Sequence, residues 1–331
     1  MAGRRRKKSG GRSYVWRYRG RIVACVFVEV IIICALVIMI GWNKGVKEWF
    51  EQFEQPVLKE VDISGINSPN AILMQARGGK ILGEINGEAQ IYPASMTKIM
   101  TVILGIENFD DLDEKITLTN EMFTGLYEQD ATQAGFQPGE EVRVIDLLYG
   151  AMLPSGAECC IALADTISGS EADFAELMNK KARKLGMENT HFCDSTGLHN
   201  PDHYSTVKDI AVLMKYCIKN DTFREIVETS RHSTGVTNIH PDGITYYSTM
   251  FKNLSDPTVT GGKILGGKTG YTSEAGHCLV SFAEIEGREY IFVSAGASGA
   301  DGNTIPHIQD AVTVYNRVGA AVEAKMNDNN K

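Results

Sequence analysis

Several of the short patterns that mark common hydrolytic and metal sites are missing from this sequence of 331 residues. It contains no Gly-x-Ser-x-Gly elbow for a histidine-assisted serine nucleophile and no His-Glu-x-x-His helix for zinc. Its seven histidines are scattered, and His199 and His203 flank Pro201, so that they share no helix face. We therefore predict no metal and no other cofactor, and we expect these histidines to be ordinary loop residues.

The cysteines also lack the pattern of a disulfide framework. Cys25 and Cys34 lie in a long apolar run, and the other five are Cys159, Cys160, Cys193, Cys217 and Cys278. An odd total, two adjacent cysteines and the absence of a Cys-x-x-Cys pair argue against such a framework. We expect most of them to be small buried apolar residues, with a single disulfide left open as an alternative.

Positive charge is concentrated in the first 21 residues, which contain nine Arg or Lys and no acid. The formal net charge of the whole chain is −8, so without that +9 the remaining residues carry −17. Such an acidic surface repels phosphate backbones and anionic lipid headgroups. We therefore exclude a nucleic acid as a partner.

Residues 22–42 form one almost wholly apolar run directly after the basic segment. About 20 helical residues cross a hydrocarbon core of about 30 Å, and the more positive flank stays in the cytoplasm. We predict a basic cytoplasmic tail at 1–21, a single-pass anchor in the bilayer of the cell membrane at 22–42 and a stalk at 43–60, with the rest exported. A cleaved signal peptide is the alternative, but its apolar run is about 7–15 residues and ends in a small-residue site that is missing here.

Residues 61–325 are predicted to form the main domain, with strand patterns at both ends and helix patterns between them. The predicted strands are 71–76 and 80–85 around a glycine turn, 244–251, a segment through 268–270, 278–285 and 290–295. One predicted helix starts at Ser95, and the others cover 144–152, 157–166, 171–185, 205–219 and 307–326. The distant strands are expected to complete one antiparallel β-sheet flanked by helices. This is an α+β fold with a mostly helical second lobe and a ligand cleft between the lobes.

Ser95 and Lys98 are spaced to act as a pair, because residues three apart lie on the same face of a helix. There the lysine amine can take the proton of the serine hydroxyl without a histidine. A second Ser-x-x-Lys, at residues 205–208, opens a predicted helix, where an N-cap role accounts for the serine. Ser95 is preferred because Ser155 and then Lys268 follow it in the order of a serine acyltransferase site.

These residue types predict acyl transfer through a covalent intermediate. Ser95 would attack a carbonyl, and Lys98 must be neutral to accept its proton, which costs about 4–5 kcal/mol for an unperturbed lysine at pH 7. Burial and a nearby cation, for which Lys268 is the candidate, lower a lysine pKa and reduce that cost. The backbone N–H groups of Ser95 and Tyr271 are candidate oxyanion donors, and Ser155 can relay the proton to the leaving amine.

Lys268, Thr269, Gly270 and Tyr271 are the predicted substrate-binding residues, because a cation and a hydroxyl on a strand suit a carboxylate. A free terminal carboxylate indicates an enzyme that removes the last residue of a peptide. The alternative is a phosphate loop, since residues 262–269 match Gly-x-x-x-x-Gly-Lys-Thr. We disfavour it because no strand pattern leads into this segment and no helix pattern follows it.

Further motifs extend over most of the chain. They include Tyr92-Pro93-Ala94-Ser95-Met96-Thr97-Lys98, Leu185-Gly186-Met187-Glu188-Asn189-Thr190-His191-Phe192, Ser195-Thr196-Gly197-Leu198, His203-Tyr204-Ser205-Thr206 and Lys268-Thr269-Gly270-Tyr271-Thr272. In these motifs residues 60–320 resemble the serine-type D-alanyl-D-alanine carboxypeptidases, the low-molecular-mass penicillin-binding proteins. The resemblance implies a β-lactamase/transpeptidase-like fold, Ser95 as nucleophile, Lys98 as base, Ser155 as proton relay and Lys268 as carboxylate ligand. It also implies that peptidoglycan stem peptides lose their terminal D-alanine and that β-lactams acylate the serine.

One position departs from the family pattern. The second motif of the family is usually Ser-x-Asn, and here Ala157 replaces the asparagine. The missing amide would hold the lysine and the substrate backbone, and Glu158 is a candidate substitute. The leading prediction is a membrane-anchored serine D,D-carboxypeptidase. The alternatives are a D,D-endopeptidase on the same scaffold and a catalytically weak protein that binds the cell wall and penicillin.

Overall fold

The computed structural model describes residues 58–254, 256–299 and 305–329. The predicted tail at 1–21, the predicted anchor at 22–42 and most of the predicted stalk at 43–60 lie outside the described residues. Within the described ranges, no helix combines the length and the apolar character needed to cross a bilayer.

The described ranges contain strands, α-helices and two short 3₁₀ turns. The strands are β1 (Asn70–Gln75), β2 (Ile81–Ile85), β3 (Lys115–Thr117), β4 (Glu141–Arg143), β5 (Arg231–Ser233), β6 (Thr245–Tyr247), β7 (Thr258–Val259), β8 (Gly262–Thr272), β9 (Gly276–Ile285) and β10 (Arg288–Ala297). The α-helices are α1 (Lys98–Asn108), α2 (Val144–Met152), α3 (Ala157–Ser168), α4 (Glu171–Leu185), α5 (Val207–Cys217), α6 (Asp221–Glu228), α7 (Thr249–Asn253) and α8 (Pro306–Asn329). The 3₁₀ turns are Ala94–Thr97 and Asn120–Phe123.

One antiparallel sheet with the strand order β2-β1-β10-β9-β8-β7 is the frame of the fold. β1 lies early in the described chain and β10 near its end, and they pair with Ile72 opposite Val293. β9 and β10 are joined through Glu286 and Gly287, whose φ values of 48° and 67° suit a tight two-residue hairpin turn. The prediction of one antiparallel sheet completed by distant strands is confirmed.

Each face of this sheet has its own apolar core, because successive side chains of a strand point to opposite faces. On β1, Ile72 belongs to the larger core, which is otherwise formed mainly by the helices between α1 and α6. Its neighbour Leu73 belongs to the smaller core, which α8 covers through residues such as Val314 and Tyr315. The α+β prediction with a mostly helical second lobe is confirmed.

Local signals determine where the helices of this lobe begin and end. α4 starts after Ser170, whose hydroxyl accepts the Asp173 N–H at 3.1 Å, and it ends at Gly186 with φ 80°. Both α2 and α4 have the predicted bounds. α3 continues to Ser168, two residues beyond the prediction, and stops at the left-handed Gly169.

Two predicted helix starts were wrong. The helix expected from Ser95 begins as the 3₁₀ turn Ala94–Thr97, and α1 begins only at Lys98. The helix expected at 205–219 begins at Val207, because the hydroxyl of Thr206, and not that of Ser205, accepts the N–H that caps it.

The segment predicted as a strand at 244–251 is also different. Only Thr245–Tyr247 is extended, and Ser248 then caps the short helix α7. A hydroxyl that accepts the N–H three residues later competes with a strand ladder, and here it ends the strand. The short elements β3, β4, β5 and α6 were not predicted from the sequence.

β8 runs as one strand from Gly262 to Thr272. The residues that match a phosphate loop therefore lie in extended backbone, where Lys268 is opposite Val280 of β9. A phosphate loop instead wraps around its ligand and leads into a helix. This strand excludes the phosphate-loop alternative.

Candidate active site

The 3₁₀ turn Ala94–Thr97 places Ser95 and Lys98 side by side at the start of α1. In such a turn residues i and i+3 are eclipsed, so the pair meets although the α-helix starts later than predicted. Lys98 Nζ lies 3.1 Å from Ser95 Oγ and donates to the Thr196 carbonyl at 2.6 Å. Ala94 has a φ of 47°, a conformation that costs about 1–3 kcal/mol at a non-glycine residue and clusters at functional sites.

The turn between α2 and α3 brings Ser155 to the same hydroxyl. Ser155 Oγ donates to Ser95 Oγ at 3.0 Å, and its side chain is buried. Its φ of 74° is again unusual for a residue with a side chain. The Ala157 N–H donates to the Thr132 carbonyl at 2.8 Å, which holds the turn against the preceding loop.

The third predicted segment, at the end of β8, packs directly against the Ser95 turn. A Cβ added to Gly270 would lie 3.0 Å from the Ser95 nitrogen, so the glycine keeps this close approach open. Lys268 is 1 % exposed, and its Nζ donates to the Thr269 carbonyl at 3.0 Å. Tyr271, the next residue, is 60 % exposed. All the predicted site residues are thus brought to one region of the molecule.

Both lysines of this region are buried, and burial changes how readily they hold a proton. Burial lowers the pKa of Lys98, and the nearby carboxylates of Asp194 and Glu158 act in the opposite direction. Burial and then repulsion by Lys98 lower the pKa of Lys268 to about 7. Burial thus lowers the pKa of Lys98 as expected. The repulsion between the two cations lowers the pKa of Lys268.

The second Ser-x-x-Lys of the sequence has a different environment. Ser205 Oγ lies 2.8 Å from Thr190 Oγ1, and Lys208 Nζ makes an ion pair with Glu88. The two side chains therefore have separate partners, and the geometry favours Ser95 over Ser205 as the nucleophile.

The position of the missing asparagine is occupied by the buried methyl group of Ala157 at the start of α3. The Oε1 atom of Glu158 accepts the N–H groups of Ala134 and Gly135 at 2.6 and 2.9 Å. Its Oε2 atom is buried without a partner in the described chain, and burial raises the pKa of this carboxyl. The hydrogen bonds that Glu158 makes in the described chain are therefore with the 134–135 backbone, and not with Ser95.

Thr249 is a site neighbour that the sequence did not reveal. Its Oγ1 lies 2.7 Å from Thr269 Oγ1, and its N–H donates to the Leu153 carbonyl at 3.1 Å. It therefore connects β8 with the turn that carries Ser155. No local sequence signal identifies Thr249, because its partner Thr269 is 20 residues away in the chain. The segment that contains Thr249 had also been predicted as a strand.

Three further site neighbours, Asp194, Thr196 and His203, come from the loop before α5. Thr196 was noticed only as part of a family motif, because a backbone carbonyl leaves no trace in a sequence. His203 is buried and lies 2.9 Å from Thr97 Oγ1 and 3.1 Å from Asp194. It is a buried histidine with partners, whereas His199 is near Glu274 at 3.8 Å.

Other reactive side chains of the described chain do not suggest a second centre. Within the described ranges no three His, Cys, Asp or Glu residues are grouped to hold a metal ion. The cysteines found there are free thiols, and apart from the half-buried Cys193 they are buried.

The sequence model of the Peptidase_S11 family, described as D-alanyl-D-alanine carboxypeptidase, matches residues 57–299. The chain belongs to this family. The family predicted from the resemblance of its motifs is thus confirmed.

Curated relatives of this Peptidase_S11 chain include the D-alanyl-D-alanine carboxypeptidase DacF of Bacillus subtilis, 35% identical over 233 residues. That match covers 69% of this chain and 57% of DacF. A D-alanyl-D-alanine carboxypeptidase of Streptomyces sp. strain K15 is 37% identical over 205 residues, which cover 60% of this chain and 69% of the relative. The chain spans somewhat less than three fifths of DacF and of Escherichia coli DacC.

Solved structures also match. The crystal structure of the Streptomyces K15 DD-transpeptidase has a TM-score of 0.69 and 29% identity, and the match covers 79% of this chain and all of that chain. A D-alanyl-D-alanine carboxypeptidase of Mycobacterium tuberculosis has a TM-score of 0.69 at 22% identity, over 79% of this chain and 94% of that chain, which bears on the fold alone. The predicted β-lactamase/transpeptidase-like fold is confirmed.

Proposed function

We propose that this Peptidase_S11 protein is a serine D,D-carboxypeptidase that removes the terminal D-alanine from peptidoglycan stem pentapeptides through an acyl-enzyme on Ser95. One observation carries the proposal: Ser95 Oγ lies 3.1 Å from Lys98 Nζ and 3.0 Å from Ser155 Oγ. A second buried amine, Lys268, lies on the strand that packs against Ser95. The names of the curated relatives support D-alanyl-D-alanine as the bond that is cut.

In the acylation step, neutral Lys98 takes the proton of Ser95 while Oγ adds to the carbonyl carbon of the penultimate D-alanine. The N–H groups of Ser95 and Tyr271 are the proposed donors to the oxyanion. The C–N bond then breaks, and the leaving amine of the last D-alanine receives the proton from Lys98 through Ser155. The Ser155 contact with Ser95 supports this relay because it places a hydroxyl beside the reacting oxygen.

In the deacylation step, water replaces the amine. Lys98 takes a proton from the water, the resulting hydroxide adds to the ester carbonyl and the bond to Ser95 Oγ breaks. The proton returns from Lys98 to Ser95, so that both groups regain their starting state. A β-lactam would acylate Ser95 in the same way, because its strained amide carbonyl reacts with the same nucleophile.

The substrate peptide is proposed to lie along β8. Within the described sheet, β7 pairs only with Gly262 and Lys263, so the end of β8 near Ser95 has β9 as its strand neighbour on one side. An extended peptide can add to such a strand edge through backbone hydrogen bonds. Its terminal carboxylate would then meet the Lys268 ammonium and the Thr269 hydroxyl, which fits an enzyme that acts at a peptide end.

The pH dependence of hydrolysis is expected to reflect Lys268. Its pKa is lowered to about 7 by burial and by Lys98, so the free enzyme loses this cation as the pH rises through about 7. The carboxylate then loses its charged partner, and kcat/KM for a D-alanyl-D-alanine peptide should fall above that pH. The profile of kcat/KM reports the free enzyme and is the measurement to make.

The matched variant is Lys268→Arg, because a guanidinium stays charged far above pH 7. Its kcat/KM is expected to be lower, because the planar guanidinium is larger than the ammonium that this site holds. The decline of kcat/KM above about pH 7 should, however, disappear. A decline that persists unchanged in this variant would contradict the assignment.

The function itself is tested by product analysis. A stem pentapeptide that ends in D-alanyl-D-alanine should release free D-alanine, and a fluorescent penicillin should label the protein. The Ser95→Ala variant, which lacks only the nucleophilic oxygen, should do neither. Release of monomers from a cross-linked dimer would instead support the endopeptidase alternative. Labelling without either product would support a catalytically weak protein that binds the cell wall and penicillin. The replacement of the usual asparagine by Ala157 is the reason for this alternative.

A D,D-transpeptidase is a second candidate, favoured by the match to the Streptomyces K15 enzyme over all of that chain. The acyl-enzyme on Ser95 would be the same, and an amine instead of water would take the acyl group. Adding an amine acceptor to the pentapeptide assay distinguishes the two. A new peptide bond to the acceptor indicates transfer, and tetrapeptide alone indicates hydrolysis.

We also propose that residues 22–42 anchor the protein in the cell membrane, with the N-terminus in the cytoplasm and the catalytic domain outside. The apolar run and the nine preceding basic residues support this orientation. The full-length protein should stay with membranes in an alkaline carbonate wash, and protease added outside spheroplasts should digest the domain. Its recovery in the soluble fraction would contradict the proposal.

A further inference from the structure

The amine of Lys98 has two neighbours that together determine its direction. It donates to the Thr196 carbonyl at 2.6 Å and lies 3.1 Å from Ser95 Oγ. A neutral amine has two N–H donors and one lone pair. When one N–H is directed at a fixed carbonyl, rotation about the last bond of the side chain is restricted, and the lone pair can face Ser95. The position of the Thr196 carbonyl therefore matters for proton transfer.

Asp194 holds this carbonyl in place through one oxygen atom. Its Oδ1 accepts the N–H and the hydroxyl of Thr196 and the N–H of Gly197, each at 2.7 Å. Three donors on one carboxylate oxygen define the path of the backbone on both sides of the Thr196 carbonyl. The charge makes these hydrogen bonds stronger than neutral ones.

His203 connects Asp194 to the turn that carries Lys98. The imidazole is 2 % exposed, with Nδ1 3.1 Å from Asp194 Oδ2 and Nε2 2.9 Å from Thr97 Oγ1. Thr97 directly precedes Lys98 in the chain. The ring thus spans the distance between the loop that supplies the carbonyl and the turn that supplies the amine.

We propose that the buried His203–Asp194 pair is a positioning device that holds the Thr196 carbonyl against the Lys98 amine and so directs the amine at Ser95. This inference rests on the proposed function, in which Lys98 is the base. Neither side chain touches the reacting atoms. His203 acts through Thr97, which precedes the catalytic lysine in the chain, and Asp194 acts through Thr196, whose carbonyl accepts from that lysine.

The charge of Asp194 has a separate effect that can be measured. Burial raises the pKa of Asp194, but the hydrogen bond with His203 and the N–H and hydroxyl donors of the loop outweigh burial and lower this pKa to about 2, so the carboxylate stays ionised. This carboxylate raises the pKa of Lys98, as do Glu158 and the α3 cysteines Cys159 and Cys160.

A second amine, Lys268 on β8, also interacts electrostatically with Lys98. Replacing Asp194 leaves this lysine in place and removes one negative charge. The Lys98 pKa should therefore fall, and the Lys98 amine should no longer be held in its direction toward Ser95.

The experiment measures the second-order rate constant for acylation by a fluorescent penicillin between about pH 5 and 9, with full-length protein in detergent. Asp194→Asn is expected to lower the maximum rate constant about 10-fold, because misplacement of the amine slows proton transfer, and the lost charge should move the acid limb of the profile to lower pH. His203→Gln should also lower the maximum, but it keeps the Asp194 charge, so its acid limb should not move to lower pH.

Two variants of the same loop serve as controls. Asp202→Asn and His191→Gln change the same residue types at exposed positions and should behave like the unaltered protein. The limb is read within each variant's own profile, so a smaller folded fraction does not affect it. An equal loss of the maximum rate constant in Asp194→Asn without any displacement of its acid limb, or wild-type profiles in both test variants, would overturn the inference alone. If the unaltered protein is not acylated, the proposed function fails and this inference with it.

Discussion

Lys98→Arg is expected to lower the rate of acylation by a penicillin or a D-alanyl-D-alanine peptide about 10⁴-fold. The substitution keeps the positive charge and much of the side-chain length. A guanidinium remains protonated at any pH the protein survives, however, and has no lone pair to accept the Ser95 proton. Burial, which lowers the pKa of Lys98, cannot make an arginine neutral to the same extent. The loss should therefore persist at every pH tested.

The second Ser-x-x-Lys provides the matched control for this substitution. Lys208→Arg alters a partly exposed lysine that makes an ion pair with Glu88, and its acylation rate should be unchanged. Circular dichroism and the midpoint of thermal unfolding show whether each variant is folded. If Lys98→Arg keeps more than about a tenth of the acylation rate, Lys98 is not the base and the mechanism is wrong.

Gly197→Ala is expected to lower acylation at least about 100-fold and to destabilise the fold by about 3 kcal/mol. Gly197 has a φ of 80°, and an added Cβ would lie 1.9 Å from the Ala94 carbonyl oxygen and 2.8 Å from Thr97 Oγ1. Both atoms belong to backbone or side chains of the Ser95 turn, which cannot move without displacing the nucleophile. The cost thus combines a strained φ with a direct overlap.

Gly169→Ala separates these two contributions. Gly169 has nearly the same φ, 83°, but an added Cβ meets nothing within 4 Å. This variant should lose only about 1 kcal/mol from the strained backbone and should keep full activity. Urea unfolding gives both free energies, and penicillin labelling gives both rates. Equal effects at the two glycines would show that the contact with Ala94 is unimportant.

Helix and strand positions followed from the sequence wherever a local signal was strong. α4 ended where it was predicted because Ser170 caps its start and Gly186 its end, and both signals are local. The strands 278–285 and 290–295, which form the hairpin of β9 and β10, were predicted because a short segment that contains Gly287 separates two apolar runs. The short elements α6 and α7 were missed or misassigned, because contacts with other parts of the chain outweigh weak propensities over so few residues.

The Ser95 and Lys98 pair could also be predicted, because residues three apart lie on the same face both in an α-helix and in the 3₁₀ turn that is present. The carbonyl that accepts from the lysine could not be predicted, because it belongs to Thr196, 98 residues further along the chain. Asp194 and His203 look like ordinary polar residues of a loop until folding buries the histidine. Glu158 could not be assigned either, because its partners at 134–135 lie in a different loop.

By itself the sequence determined the family, the sheet with its helical lobe and the order of Ser95, Ser155 and Lys268, because motif spacing and apolar periodicity are properties of short segments. Only the tertiary structure decided that these three side chains lie in one region, which of the two Ser-x-x-Lys pairs has its serine and lysine in contact, and how far each lysine is desolvated. The physical reason is that burial and electrostatics depend on which distant segments pack together. A pKa near 7 for Lys268 exists only once Lys98 and the sheet enclose it.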